Sequence, residues 1–281
     1  MAGAGMNNIK ARIKSVTGTM QITGAMELVA TSKLRRAKEK VERTRPFYTV
    51  LGEAIDSVMA LAMEYENPYI VEREVKKTLY ISIGGDRGLA GGYNANVFKM
   101  TKKLAESGEA IILPIGKKAF EHFRHKGYEL MTDAPLEVAD FGVGDSLHFA
   151  TRVVEGFVAG EYDRVVIVYT KFVSMLTQTP VYEQLLPLER EAGDATEPPE
   201  YDIDPELMLA EIVPDYIGGV IYSAVCESEA SETGARRTAM NAANKNAKEM
   251  IDDLMLRYNR ARQAIITQEI TEIVSGAEAL G

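Results

Sequence analysis

Cysteine occurs once in the 281 residues, at Cys226, so no internal disulfide can form and no thiol pair is available for a zinc site or a redox switch. A reducing compartment suits such a chain. Histidine is nearly as scarce: His122, His125 and His148 are too few and too scattered for a metal site. No Ser/His/Asp or Cys/His set stands at the end of a predicted strand, which predicts a chain without a catalytic site of its own and without a cofactor. The opening MAGAGMNN lacks an apolar run, so no signal peptide is expected, and either Met1 or Met6 is the native start. Charges recur along the longest helical pattern, so a membrane span is not expected there and membrane association should come through partners.

What is present is enough apolar residue, 46%, for a real core in one or two domains. The net charge of −9 is distributed unevenly. Residues 1–45 carry ten Lys or Arg against three Glu, which is +7, so the remainder carries −16. A basic collar of Lys33, Arg35, Arg36, Lys38, Lys40, Arg43 and Arg45 avoids the seam positions Leu34, Ala37, Val41 and Thr44 and is expected to radiate outward. It reads either as a solvated helix face or as the contact for an acidic partner.

Two helical patterns dominate the ends. Near the C-terminus Met240, Ala243, Ala247, Ile251, Leu254, Tyr258, Ala261 and Ile265 recur at steps of three and four with no proline between them. From Ile9, alternating steps of four and three give Ile13, Val16, Met20, Thr23, Glu27, Ala30, Leu34, Ala37, Val41, Thr44, Tyr48, Leu51, Ile55, Val58 and Ala62. Only Thr23, Glu27 and Thr44 are not apolar, and a strict seven-residue register of this kind imposes a left-handed supercoil on two helices. The middle of the chain lets them return antiparallel. The first helix is expected to start at a cap on Asn7 or Asn8, to bend at Pro46 and to run to about Tyr65, roughly 85 Å at ~1.5 Å per residue. Between Met20 and Ala30 the apolar residues surround the helix, which calls for a third covering surface such as another subunit.

After Asn67-Pro68 the period changes to that of an open α/β sheet. Strands are expected at Lys76–Ile83, Ala110–Ile115 and Arg164–Thr170, with helices at Asn94–Ser107, Lys117–Lys126 and Asp145–Gly160. Val181–Leu188 is expected to add an edge strand, and residues 189–205, rich in proline and acid, read as a surface loop. The second long helix should begin near Glu206, with Gly218, Gly219 and Gly234 as weak points. The fold class is therefore α/β: an antiparallel two-helix coiled coil of the terminal helices plus an open, Rossmann-like sheet domain. Its divisions are 1–66, 67–205 and 206–281.

The loop Gly84-Gly85-Asp86-Arg87-Gly88-Leu89-Ala90-Gly91-Gly92-Tyr93-Asn94 lies where a phosphate loop would, between a strand and a helix. It has neither the GxGxxG spacing nor a following Gly-Lys-Ser/Thr, so a structural turn is preferred to a nucleotide site.

The C-terminal run Ile266, Thr267, Glu269, Glu272, Gly276, Ala277 and Ala279 resembles the signature of the gamma subunit of F-type ATP synthases. So do Ile9-Lys10-x-Arg12-Ile13-Lys14-Ser15-Val16 and Gln21-Ile22-Thr23-x-Ala25-Met26-Glu27-x-Val29-Ala30 near the N-terminus, and Asp86-Arg87-Gly88-Leu89-x-Gly91 with Asn94 in the middle. Ala90 departs from the family, where many relatives carry cysteine. The cysteine-bearing insert of plant chloroplast forms is missing too, so thiol control of that kind is not expected.

The resemblance implies a central, non-catalytic rotor that couples proton or other ion flow to ATP synthesis and regulates ATPase activity. Its implied partners are alpha and beta subunits, three of each around one copy of this chain, with epsilon and the c ring of the membrane sector. It implies a peripheral membrane protein on the cytoplasmic face of the cell membrane, attached through those subunits. By the match, Arg262, Gln263 and Thr267 would meet the inner loops of the beta subunits, Met26, Lys33, Arg35 and Arg36 would face their acidic lever, and Tyr201 and Asp202 would lie near the c ring or epsilon. Two rival readings are weaker. A basic coiled coil could grip nucleic acid, but the chain is acidic overall and its collar lacks interleaved aromatics, so no nucleic acid is expected. An α/β enzyme built on the glycine loop lacks the residues noted above.

Overall fold

Two periodicities, seven in one place and four in another, set where the terminal helices pack. The computed structural model describes residues 2–62, 67–71, 73–188 and 205–278. In chain order the elements are α1 (Ala2–Ala62), β1 (Lys77–Ile83), α2 (Tyr93–Ala105), β2 (Glu109–Ile115), α3 (Lys117–His125), β3 (Glu129–Leu130), α4 (Val143–Val158), β4 (Arg164–Phe172), β5 (Gln178–Leu186) and α5 (Pro205–Glu278). The chain forms two compact units, one of Met1–Ala30 with Arg237–Gly281 and one of Thr31–Arg236, so each long helix supplies residues to both.

In the first unit the helices run antiparallel. Asn241 Nδ2 donates to Glu27 Oε1 at 2.9 Å, while Gly24 faces Asn244, so residue numbers rise on one helix as they fall on the other. On α5 Met240, Ala247 and Leu254 are buried at exact heptad spacing, with Ala243, Ile251, Tyr258, Ala261 and Ile265 half-buried between or beyond them. This is the seam that the apolar pattern predicts.

In the second unit the buried positions of α5 are Leu209, Val213, Ile217, Ile221 and Val225, four residues apart. A step of four turns a helix by about 40° beyond a full circle, so this stripe winds around α5 and must meet several neighbours. It packs with Ile55, Val58 and Met59 of α1, with Phe149, Val153 and Phe157 of α4, and with one face of the sheet through Leu79, Ile81, Ile83, Leu113, Val165 and Ile167. The opposite face, Tyr80, Ile112, Val166 and Val168, is covered by Val97 and Phe98 of α2 and by Ala119 and Phe123 of α3. Covering both faces explains why β1, β2 and β4 are nearly continuous apolar runs. The strand order is β3-β2-β1-β4-β5, parallel except for the β4–β5 pair.

Most predicted elements appear within a few residues of their expected bounds. The two-residue strand β3 was not expected, since Glu129-Leu130 is too short to carry a period, and β5 begins earlier than the predicted Val181 because a hairpin turn held by Ser174 feeds it. α1 starts at Ala2, so Asn7 and Asn8 are exposed interior residues and not caps; extending a formed helix costs little because each added residue gains a backbone bond. Helix α1 also continues through the exposed Pro46. Gly218 and Gly219 are close-approach points within α5. A Cβ on Gly219 would fall 2.4 Å from Cε1 of Tyr48, and one on Gly218 would fall 2.8 Å from Cδ2 of Leu147, so the helix packing that their small size permits offsets their low helix propensity.

Leu34 and Ile55 are 4% and 2% exposed on α1. Leu34→Asp or Ile55→Asp places an unpaired carboxylate there, and each is expected to cost about 3 kcal/mol or more. Urea unfolding followed by circular dichroism checks this, and an unchanged midpoint refutes the assigned register.

Candidate functional site

An open α/β sheet binds ligands outside the carboxyl ends of its strands where the strand order reverses. Here that point lies between β1 and β4, and the glycine loop Gly84–Asn94 rises from the end of β1. The loop's neighbourhood spends its backbone donors internally. Asp86 accepts hydrogen bonds from the N–H groups of Lys117 at 3.1 Å, Val138 at 3.0 Å and Ala139 at 3.1 Å, and Asn94 Oδ1 accepts one from Gly85 at 2.8 Å. A carboxylate of the chain thus sits on the amide groups, including the first of α3, that a phosphate would otherwise engage.

Helix α5 fills the rest of the crevice. Ser228 Oγ accepts from the N–H of Thr170 at 3.4 Å, Ser231 Oγ donates to the carbonyl of Thr170 at 3.0 Å, and Glu227 accepts from the N–H of Phe172 at 3.3 Å. Glu227 also accepts from Arg45 of α1 at 2.9 Å. Glu232 pairs with Arg236 at 2.5 Å, and Arg236 donates to the carbonyl of Gly88 at 3.2 Å. A Cβ on Gly85 would lie 2.5 Å from Glu232 Oε1, so the loop and the helix touch without room for a ligand between them. Burial raises the Glu232 carboxyl above its usual range, against the lowering effect of Arg236. The fully buried Tyr93 is pushed up by burial first and by the charge of Glu232 second. These latch residues were not anticipated. Their signal is the row of acids Glu227, Glu229 and Glu232 inside an otherwise apolar stretch, which must either break the helix's burial or find partners. One window within Leu207–Ala277 is long and apolar enough to cross a membrane, but half of it is buried inside the fold, as in a core helix. Among the described residues no group of three or more His, Cys, Asp and Glu could hold a metal ion.

The residues singled out as partner contacts fall into two sets. Met26, Arg262, Gln263 and Thr267 belong to the first unit, and Lys33, Arg35 and Arg36 to the second. Arg262, Gln263 and Thr267 are exposed, and Met26 is half-buried. The Glu27–Asn241 register puts Met26 opposite residue 242 or so, which leaves Arg262 ~30 Å further along α5; the two are not brought together. Around them the chain leaves large apolar side chains in water: Ile22, Leu28 and Val29 on α1, and Ile266, Ile270, Ile273 and Val274 on α5. Among the described residues nothing supplies the third surface expected over Met20–Ala30.

Lys33, Arg35 and Arg36 are exposed, as are Lys38 and Arg43. The outward-radiating collar needs correction at two positions. Lys40 is half-buried, binds Glu229 at 3.3 Å and lies 5.3 Å from the ring centre of Tyr222, and Arg45 is bound to the buried Glu227. Both cations answer acids of α5, so they belong to the internal latch. Tyr201 and Asp202 lie outside the described residues, as does Ala279.

Because the Glu232 carboxyl holds its proton to higher pH in the fold than in the unfolded chain, its contribution is complete in acid and is lost as pH rises through the folded-state value. Glu232→Gln is expected to remove that loss. Urea midpoints measured from about pH 4 upward should fall less steeply in the variant than in the wild type, and parallel profiles would refute the assignment.

Comparison with known proteins agrees with the sequence motifs over almost the whole length. The family model for ATP synthase matches residues 5–280. A Ruminococcus albus protein named ATP synthase gamma chain is 46% identical over 98% of each chain, and one from Alkaliphilus metalliredigens is 46% identical over 99% of each. The sodium ion specific ATP synthase gamma chain of Acetobacterium woodii is 42% identical over 98% of each. Among solved structures, a chain of the Euglena gracilis mitochondrial ATP synthase in its rotational state 3 superposes with a TM-score of 0.73 at 21% identity, covering 99% of this chain and 95% of that one. A chain from the central stalk and c-ring of the Tetrahymena thermophila enzyme gives 0.63 at 22%, covering 79% and 99%. Those two likenesses are of fold; the bacterial sequences carry the kinship, and by them the chain belongs to the ATP synthase gamma chain family.

Proposed function

We propose that this chain is the central rotor of an ATP synthase, turning within a ring of three alpha and three beta subunits and standing, with epsilon, on the c ring of the membrane sector. One copy serves each complex. In this reading ion flow through the membrane sector turns the chain, and its asymmetry carries each beta subunit through binding of ADP and phosphate, formation of ATP and release. The same contacts regulate hydrolysis in the reverse direction. The chain contributes torque and no catalytic group, and is held at the cytoplasmic face of the cell membrane by its partners.

The observation that carries this reading is the exposed face of the C-terminal signature helix. Arg262, Gln263 and Thr267 stand beside uncovered Ile266 and Ile270, a mixture of apolar area and hydrogen-bonding groups that marks a protein interface. The exposed Ile22, Leu28 and Val29 near Met26 make a second such face. Lys33, Arg35 and Arg36 supply charge for an acidic lever, and Tyr201 with Asp202 is assigned to the foot of the rotor near the c ring or epsilon.

Replacing Lys33, Arg35 and Arg36 together with Gln tests the electrostatic part. Lys40 and Arg45 are left in place because they hold Glu229 and Glu227. Helix propensity barely changes, so circular dichroism should match the wild type. Affinity for the alpha–beta ring is expected to fall roughly tenfold, with a smaller dependence on salt because fewer screened contacts remain. Ions pumped per ATP hydrolysed should fall too. An unchanged pumping ratio and an unchanged salt dependence would make the collar a solvated face.

A further inference from the structure

On the side of the sheet away from α5, helices α2 and α3 flank an open cavity of about 710 Å³, within the range of roughly 300–1,000 Å³ typical of small-molecule sites. Aromatic rings form its floor. The His122 imidazole stacks on Phe98 with centroids 4.6 Å apart and planes 20° apart. Phe123 fixes this pair from beneath, edge-on to Phe98 at 5.4 Å and edge-on to Tyr128 at 5.6 Å. The rim carries Lys99, Lys102 and Lys126, all exposed, and no acidic residue lines the cavity. Among the described residues none of these three lysines has a carboxylate partner, whereas nearby Lys118 is bound to Glu121 at 2.6 Å. A chain of net charge −9 thus keeps a wholly cationic pocket on an aromatic base. The field there is felt by His122, whose basicity is lowered first by burial and then by Lys126 and His125.

We propose that this cavity binds a free nucleotide, its base against the Phe98–His122–Tyr128 floor and its phosphates on Lys99, Lys102 and Lys126. Each part of the ligand answers a part of the wall: a flat π-system for the rings, and several negative charges for ammonium groups that have no internal partner. The size suits one mononucleotide. The site lies between α2 and α3 and shares only Asn94 with the glycine loop, so it would let the chain sense a nucleotide without processing it.

Equilibrium dialysis of ATP with the purified full chain, in the absence of other subunits, tests the proposal. A dissociation constant of roughly 1 mM or tighter is expected. The Lys99→Gln, Lys102→Gln, Lys126→Gln variant changes only exposed side chains, so its circular dichroism should be that of the wild type while binding weakens at least about tenfold, the loss expected from removing charge-assisted bonds. Inorganic tripolyphosphate should bind at least about tenfold more weakly than ATP, since it cannot use the aromatic floor. The His122 titration, read by NMR, should move to higher pH when ATP binds. The proposal is overturned by no binding at several millimolar ATP, by equal binding to the triple variant, or by tripolyphosphate binding as tightly as ATP, which would make the site a nonspecific anion patch.

Discussion

Burial of the α5 carboxylates against the carboxyl ends of the sheet is the constraint on which the second unit depends. Two acids, Glu227 and Glu232, are largely withdrawn from water, and each is answered by an arginine, one from α1 and one from its own helix. Removing a partner from such a pair costs several kcal/mol, although the intact pair adds little net stability. A slip of α1 against α5 would part Glu227 from Arg45, whereas the Glu232–Arg236 pair lies within one helix and moves with it. The inter-helix pair therefore penalises wrong registers more than it strengthens the right one. The pairs also bring α5 against the glycine loop: Arg236 holds the carbonyl of Gly88, Glu232 crowds Gly85, and Asp86 occupies the first amide of α3.

A second constraint is the change of period along α5. Heptad spacing over Met240, Ala247 and Leu254 needs only one partner helix, whereas spacing by four over Leu209–Val225 needs neighbours on several sides, which α1, α4 and the sheet provide. The boundary between the compact units falls at Ala30 and Arg237, near the place where one spacing gives way to the other.

Much of this was legible in the sequence because long elements average over local noise. The heptads of α1 and α5 and the positions of the main strands follow from periods that hold for many residues, whereas the antiparallel direction of the edge strand does not show in its period. What escaped is short or long-range. β3 has two residues, the cap at Asn7 or Asn8 depended on a single local preference, and the latch joins Arg45, Gly88 and Thr170 to residues of α5 that are distant in sequence. Lys40 and Arg45 looked like the rest of the collar because their partners Glu229 and Glu227 cannot be seen from α1 alone. The same limit hid the function of Gly218 and Gly219, whose meaning lies in Leu147 and Tyr48. Partner contacts are another matter. They are proposed from motif resemblance, while the exposure of Ile22, Leu28 and Ile270 adds a physical reason for a covering surface on those faces.

That exposure bears on the life of the chain before it is assembled. Seven large apolar side chains, Ile22, Leu28, Val29, Ile266, Ile270, Ile273 and Val274, lie uncovered on helix surfaces, four of them within one short stretch near the end of α5. Water penalises such area at about 25 cal/mol per Å², so copies made in excess of their partners gain by sticking to one another or to any passing apolar surface. Synthesis matched to the supply of partners therefore protects this protein as much as it builds the enzyme, and an unpaired copy presents chaperones and proteases with the very residues by which it would be recognised as an orphan.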